Sequence, residues 1–238
     1  VVVFSFGIII KYNYISNIMQ KVSNNIKEVE KQNNYVVTIT EHGIDYEREK
    51  DYTYITKHYY KDNKYKTENH SIANFDILNG NTCNYGEINS NSQITIVDDT
   101  KTVYKESRNY VYMKKEYLLR NLKNAIQIFD TDFGIFGNLY MKSNYQIRND
   151  RYNGKECYVL KSECNEYYFE YWIEKDSMML IRTVQDIYNR IYTENTYELT
   201  RDTVKDEDVS IPNFDGYTIK ETNANTSDEW LEIYNDVF

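Results

Sequence analysis

The residues with chemistry to offer are three histidines, three cysteines and a scatter of carboxylates. His42, His58 and His70 stand apart. None has a second histidine four residues on, or the neighbouring glutamate, that would set a metal-ligand pair on one helix face. Cys83, Cys157 and Cys164 form no C-x-x-C pair, which speaks against zinc. An odd count leaves at least one thiol unpaired. Cys157 and Cys164 are read as flanking a short turn and could face each other across a hairpin, so their pairing stays open. No G-x-S-x-G motif marks a nucleophile, and no phosphate loop or dinucleotide fingerprint occurs. Asp130-Thr131-Asp132-Phe133-Gly134 starts like a calcium loop but lacks the later ligands and the closing glutamate. The many carboxylates alternate with apolar residues, and no two are singled out as a glycosidase pair. The expectation is a protein with no catalytic residues, no metal and no cofactor.

The elements that would position any site centre on Gly154 to Ile187. Asn153-Gly154 is a strong hairpin signal ahead of a first strand. Cys164-Asn165 and then Glu174-Lys175-Asp176-Ser177 separate it from two more strands. In the middle strand Tyr167, Phe169, Tyr171 and Ile173 share one face, while Glu166 and Glu170 point the other way. Trp172 and Tyr168 break that polar side, so it is covered or sticky.

Upstream, VVVFSFGIII is too short for a complete membrane span, which needs about 20 apolar residues. Residues 1–14 read as the remnant of a signal peptide or membrane anchor; a buried strand is the other reading. Ile15, Ile18, Met19, Val22, Ile26 and Val29 recur at helical spacing, predicting an amphipathic helix to Lys31. From Tyr35 the period changes to two, with strands through Tyr52–Tyr60, Lys64–Ser71, Gln93–Val97 and Thr102–Lys105. Reversals fall at Asp62-Asn63, Asn79-Gly80 and Asp98-Asp99-Thr100. A helix is predicted over Lys114 to Phe129, then a glycine-flanked loop with Phe133 and Phe136, which is a lid or a plug. Strands resume over Leu139–Ile147, Lys155–Lys161, Glu166–Ile173, Met178–Ile187 and Ile191–Thr200. Tyr217 to Glu221 follows, then an acidic end with Trp230 and Tyr234. The fold class is mainly β (α+β), and residues 15–238 read as a single domain.

Composition narrows the function. With 26 tyrosines, one proline and eight glycines, the turns must rely on asparagine and aspartate. The formal charge of −9 without a basic stripe argues against nucleic acid and against charge-driven binding to anionic membranes.

Several short stretches carry a resemblance. Trp172-Ile173-Glu174-Lys175 followed by Met179-Leu180-Ile181-Arg182 resembles the strand–turn–strand of the LolA-like lipoprotein-carrier superfamily, with Met178-Met179 where a proline is usual. Asp206-Glu207-Asp208-Val209-Ser210-Ile211-Pro212 resembles that family's tail. Tyr59-Tyr60-Lys61 with Lys64-Tyr65-Lys66-Thr67-Glu68 is similar to a hairpin of clostridial GerS-type germination lipoproteins, which share the fold. Ile77-Leu78-Asn79-Gly80-Asn81 and the Tyr117–Ala125 helix are similar to the elements that follow it. The lipidated cysteine of those proteins is not among the first residues of this chain.

The resemblance implies a strongly curved antiparallel sheet, an incomplete β-barrel, whose concave side is covered by the N-terminal amphipathic helix and the helical insertion. It implies an exported protein of the cell envelope, membrane-anchored or secreted, with membrane association through the N-terminal segment. The function implied is non-catalytic binding of the GerS type, supporting a cell-wall amidase in spore germination. The alternative is an extracytoplasmic carrier that takes a lipid or lipoprotein acyl chain in the hollow. The candidate hollow-lining residues are Tyr167, Phe169, Tyr171, Ile173, Met179 and Ile181; the candidate partner-facing residues are Tyr168 and Trp172. So many inward tyrosines suit a packed or wet interior better than an oily tunnel, because buried hydroxyls need partners.

Overall fold

The computed structural model describes residues 2–73, 80–107, 111, 113–130, 145–164, 167–188 and 190–222. Ile77 to Asn79, the Phe133/Phe136 loop with Thr131 to Gly134, the strand portion at 139–144, Asn165, Glu166, Trp230 and Tyr234 lie outside them. The protein is mainly β. Among the described residues twelve strands run in the hydrogen-bonded order β12-β6-β5-β4-β3-β2-β1-β11-β10-β9-β8-β7, an open sheet with β12 and β7 at its edges. The chain packs as two compact units, described in turn.

The first unit contains α1 (Val2–Lys31), α3 (Arg120–Asp130) and the strands β7 (Gln146–Tyr152), β8 (Lys155–Cys164), β9 (Tyr167–Glu174), β10 (Leu180–Ile187) and most of β11 (Ile191–Arg201). The N-terminal stretch offered as a possible strand is helical and continuous with the predicted amphipathic helix. Among the described residues no helix is long and apolar enough to cross a membrane. The apolar stripe Ile15, Ile18, Met19, Val22, Ile26 and Val29 is buried, as its spacing predicts. Asn153 and Gly154 both take positive φ, the geometry of a two-residue hairpin that joins β7 to β8. Strand β8 runs on to Cys164, so Cys157 and Cys164 lie on one strand and cannot pair: seven residues along a strand span roughly 23 Å. Cys157 is a buried free thiol.

The second unit holds most of β1 (Asn34–Asp45), then β2 (Lys50–Lys61), β3 (Lys64–Ala73), β4 (Gly80–Glu87), β5 (Ser92–Val97), β6 (Thr102–Ser107) and α2 (Lys115–Leu118). It also holds α4 (Asp206–Val209) and β12 (Thr218–Thr222). The predicted helix of the insertion is thus two helices, α2 and α3, broken at Leu119. Asp62 and Asn63 take positive φ in the β2–β3 turn, as asparagine-type turns allow. The tail packs on one side of this unit. Val204 and Val209 meet Val36 and Tyr59. Phe214 and Tyr217 meet Tyr85, Ile96 and Val103. The motif from Asp206 to Pro212 therefore has a packing role: the Lys205 N–H donates to Asp208 Oδ2 at 2.8 Å, and Lys61 pairs with Asp206 at 2.9 Å.

Gly86 stands where β4 passes the fully buried Tyr65 of β3, its direct partner. A Cβ there would lie 2.8 Å from Tyr65 Oη and 2.9 Å from its ring. Tyr65 cannot swing away without breaking its hydroxyl's bond to Gln93 Oε1, at 3.0 Å. Gly86→Val is expected to cost about 1–3 kcal/mol, read as a lowered denaturation midpoint at unchanged slope. An unchanged midpoint would show that this pairing is loose.

Candidate functional site

The predicted site residues lie in the first unit, and their faces follow from register. Leu180 opposes Ile173, but Arg182 opposes Trp172, so β10 carries one extra residue across that step. The bulge is Ile181. It packs with Trp172, Cys157 and Val159 and not with Ile173. Of the six candidate hollow-lining residues, Tyr167, Phe169, Tyr171 and Ile173 share one face of β9, Ile181 belongs to the opposite face, and Met179 is buried ahead of the bulge. Leu180 takes the place on the Ile173 face that the sequence pattern gave to its neighbours.

That face is occupied. Tyr158 opposes Ile173 across β8 and β9, and the Tyr14 ring of α1 meets the Tyr158 ring edge-on at 6.2 Å. Asn25 of α1 donates to the Ser177 carbonyl at 2.7 Å. So α1 touches the Ile173 side of the sheet at Tyr158 and the turn after β9 at Ser177, and its apolar stripe is buried. Tyr145 and Tyr171 meet edge-on at 6.0 Å on the same side. Burial, and then the neighbouring Tyr145, push the Tyr171 hydroxyl well above the usual phenol range. These two tyrosines are hydrogen-bonded to each other, which satisfies hydroxyls that would otherwise be costly to bury.

The other face carries the two candidate partner-facing residues. Trp172 is only 6% exposed. Its ring lies between two guanidinium groups, Arg148 at 5.5 Å and Arg182 at 5.1 Å, with Arg182 also over Tyr152 at 5.1 Å. Its indole N–H donates to Glu170 Oε2 at 2.9 Å, and Arg148 Nη1 donates to Glu170 Oε1 at 2.8 Å. Burial raises the Glu170 pKa, but hydrogen bonds from Tyr168, Arg148 and Trp172 outweigh it and hold the carboxyl below its usual range. Arg182 Nε bonds Glu194 at 2.7 Å. Tyr168 is half-buried, with the Lys161 ammonium 4.8 Å above its ring. Trp172 thus ties four strands together from within the protein.

The second unit holds a different arrangement, which single-strand reading missed. One face of β2–β6 is a polar ladder. Thr56, Asn69 and Thr82 form one row; His58, Thr67, Asn84 and Thr95 the next; Tyr65, Gln93 and Glu106 the third. Thr95 Oγ1 donates to Glu106 Oε1 at 2.6 Å, Gln93 Nε2 reaches Asn84 Oδ1 at 3.3 Å, and His58 Nδ1 meets Thr67 Oγ1 at 2.9 Å. The signal was present as polar residues at every second position, but they read as a solvated face; Thr67, Thr95 and Glu106 are buried. Beside the tail, a cavity of about 530 Å³ is lined by Tyr85, Ser92, Ile94, Lys105, Ile211 and Glu221.

The three histidines do not converge. His42 lies 3.5 Å from Asp51, His58 meets Thr67, and His70 meets Asn81. Among the described residues no group of three or more His, Cys, Asp or Glu could hold a metal ion. Burial lowers the His58 pKa from its ordinary value to about 4. A histidine kept neutral in the fold contributes fully above its unfolded pKa of about 6.5, and that contribution is lost as pH falls toward 4. The melting temperature should therefore drop between pH 6.5 and 4 in the native chain, and less so in His58→Gln. Equal drops would place the acid sensitivity elsewhere.

No protein-family profile matches the chain, and no curated protein matches it. Solved structures similar to it include the lipoprotein LppX of Mycobacterium tuberculosis, at 10% identity over 78% of this chain and 94% of that one, with a TM-score of 0.43. A putative outer membrane lipoprotein-sorting protein domain from Vibrio parahaemolyticus matches at 11% identity over 79% of this chain and 94% of that one, with a TM-score of 0.29. MucB in complex with MucA matches at 11% identity over 82% of this chain and 60% of MucB, with a TM-score of 0.36. At TM-scores below 0.5 these likenesses bear no weight for function, which rests on the geometry of the chain itself.

Proposed function

We propose that this chain is a non-catalytic binding protein of the cell envelope that holds a protein partner, in the manner of the GerS-type lipoproteins its Tyr59–Glu68 hairpin resembles. One observation carries this reading. The α1 stripe and Leu160, Ile173 and Leu180 of β8–β10 are all buried, and α1 touches this part of the unit through Tyr14 and Asn25, so the apolar side reads as core and not as a receptacle. The polar ladder on β2–β6 supports the same reading, because its hydroxyl, amide and carboxyl groups are bonded to one another and offer an acyl chain no apolar surface. Binding by surface contact asks for no nucleophile or metal, in keeping with the motifs of the sequence. The finer expectation, a cell-wall amidase as the partner, follows from the resemblance alone. A carrier of lipid or lipoprotein acyl chains is the second reading, and the 530 Å³ cavity beside Ile94 and Ile211 is the feature that favours it.

The two readings separate in one titration series. The purified chain is immobilised and exposed to a soluble cell-wall amidase, and in parallel to a fluorescent fatty-acid probe. Saturable amidase binding with no probe uptake is expected. Saturable probe uptake without amidase binding would replace the first reading with the second.

A further inference from the structure

Of the exposed large apolar side chains of the first unit, Ile10 and Tyr14 lie on α1, and the other four lie at one end of the sheet. Described residues of three neighbouring stretches meet there: Tyr46 and Glu47 between β1 and β2, Tyr167 at the start of β9, and Tyr188 and Arg190 between β10 and β11. The Tyr46 N–H donates to the Arg190 carbonyl at 2.8 Å, and Arg190 pairs with Glu47 at 3.5 Å, which sets the first stretch against the third. Tyr167 opposes Ile187, and Ile187 opposes Ile191, which brings in the second. The end so formed presents Tyr46 at 47% exposure, Tyr167 at 49%, Tyr188 at 39% and Ile191 at 40%. The opposite end of the same strands is polar, with Asn153-Gly154 and Lys175-Asp176-Ser177 in its turns. Scattered surface tyrosines are ordinary, but four exposed apolar side chains that share one end of a sheet form a patch.

We infer that this end is a lipid-interface contact, at which the hairpin-tip tyrosines and Ile191 enter the headgroup region of a bilayer. Size decides against a second copy: four half-exposed side chains offer roughly 400 Å² at most, against about 800 Å² per partner in a stable protein interface. Chemistry favours the bilayer boundary, where a ring with an apolar body and a polar tip sits best. Charge says which bilayer. The flanking cations are matched locally, Arg190 by Glu47 and Arg48 by Asp45 at 3.6 Å, so neither is left over to recruit acidic headgroups. The chain's charge of −9 works against them. The contact is therefore with zwitterionic lipid and is indifferent to salt.

The test is flotation of the full chain with phosphatidylcholine vesicles, with and without added phosphatidylserine, at low and high salt. The native chain should float with phosphatidylcholine alone, equally at both salt concentrations. The triple variant Tyr46→Ser, Tyr167→Ser, Ile191→Ser should bind roughly tenfold more weakly. Should that variant melt early, Tyr46→Ser alone, in a turn outside the strands, should still weaken flotation measurably. The inference is overturned if the native chain fails to float on phosphatidylcholine, if it floats only with phosphatidylserine and is released by salt, or if Tyr46→Ser and the triple variant both float like the native chain.

Discussion

Replacing Trp172 by alanine should lower the free energy of unfolding by about 3–5 kcal/mol, the usual cost of emptying a large buried aromatic site. The substitution removes the centre of the Cys157–Val159–Ile181 cluster and takes one of three hydrogen-bond donors from the Glu170 carboxylate. It also strips the ring from between Arg148 and Arg182. Trp172→Phe separates these contributions: it keeps most of the packing and loses the indole N–H, so about 1–3 kcal/mol is expected. The Glu170 share depends on pH with a definite sign. A carboxyl held below its unfolded pKa stabilises the fold above about 4.3, and that stabilisation is lost as pH falls through the folded value. Chemical denaturation of the two variants at neutral and acidic pH would show it. Unchanged stability in Trp172→Ala, with partner binding lost, would instead make Trp172 the contact residue its strand position suggested.

Val22→Asp should be at least as damaging, costing more than about 4 kcal/mol, because it sets an unpaired carboxylate in the middle of a buried stripe. In this fold the α1 stripe from Ile15 to Val29 belongs to the core of the first unit. The variant should lose cooperative thermal unfolding by circular dichroism and bind a hydrophobic dye through the uncovered Leu160, Ile173 and Leu180. If it melted like the native chain, the helix would be dispensable and the apolar face of β8–β10 free to serve as a hollow.

The sequence announced much of this. The α1 stripe, the Asn153-Gly154 turn, the Asp62-Asn63 turn and the alternation in β2, β3, β5 and β9 are local signals, and each is where its pattern places it. What stayed hidden depends on partners distant in sequence. Strand β4, GNTCNYGE, has poor strand vocabulary and exists because β3 and β5 flank it. Strand β12 joins β6 in parallel, a pairing across more than a hundred residues in a chain whose turns all speak of antiparallel neighbours. The bulge at Ile181 shifted the faces: one extra residue sent Ile181 to the Trp172 side and brought Leu180 to the Ile173 side. The periodicity of β10 gives no sign of it. Arg148 and Arg182 likewise became visible as partners of Trp172 only through the register of four strands.

Native mass spectrometry of the intact chain, purified from cells rich in membrane lipid, tests most directly whether α1 fills the oily side of the first unit. If it does, the chain should fly at its bare polypeptide mass. A population carrying a stoichiometric acyl species, released only on unfolding, would contradict it.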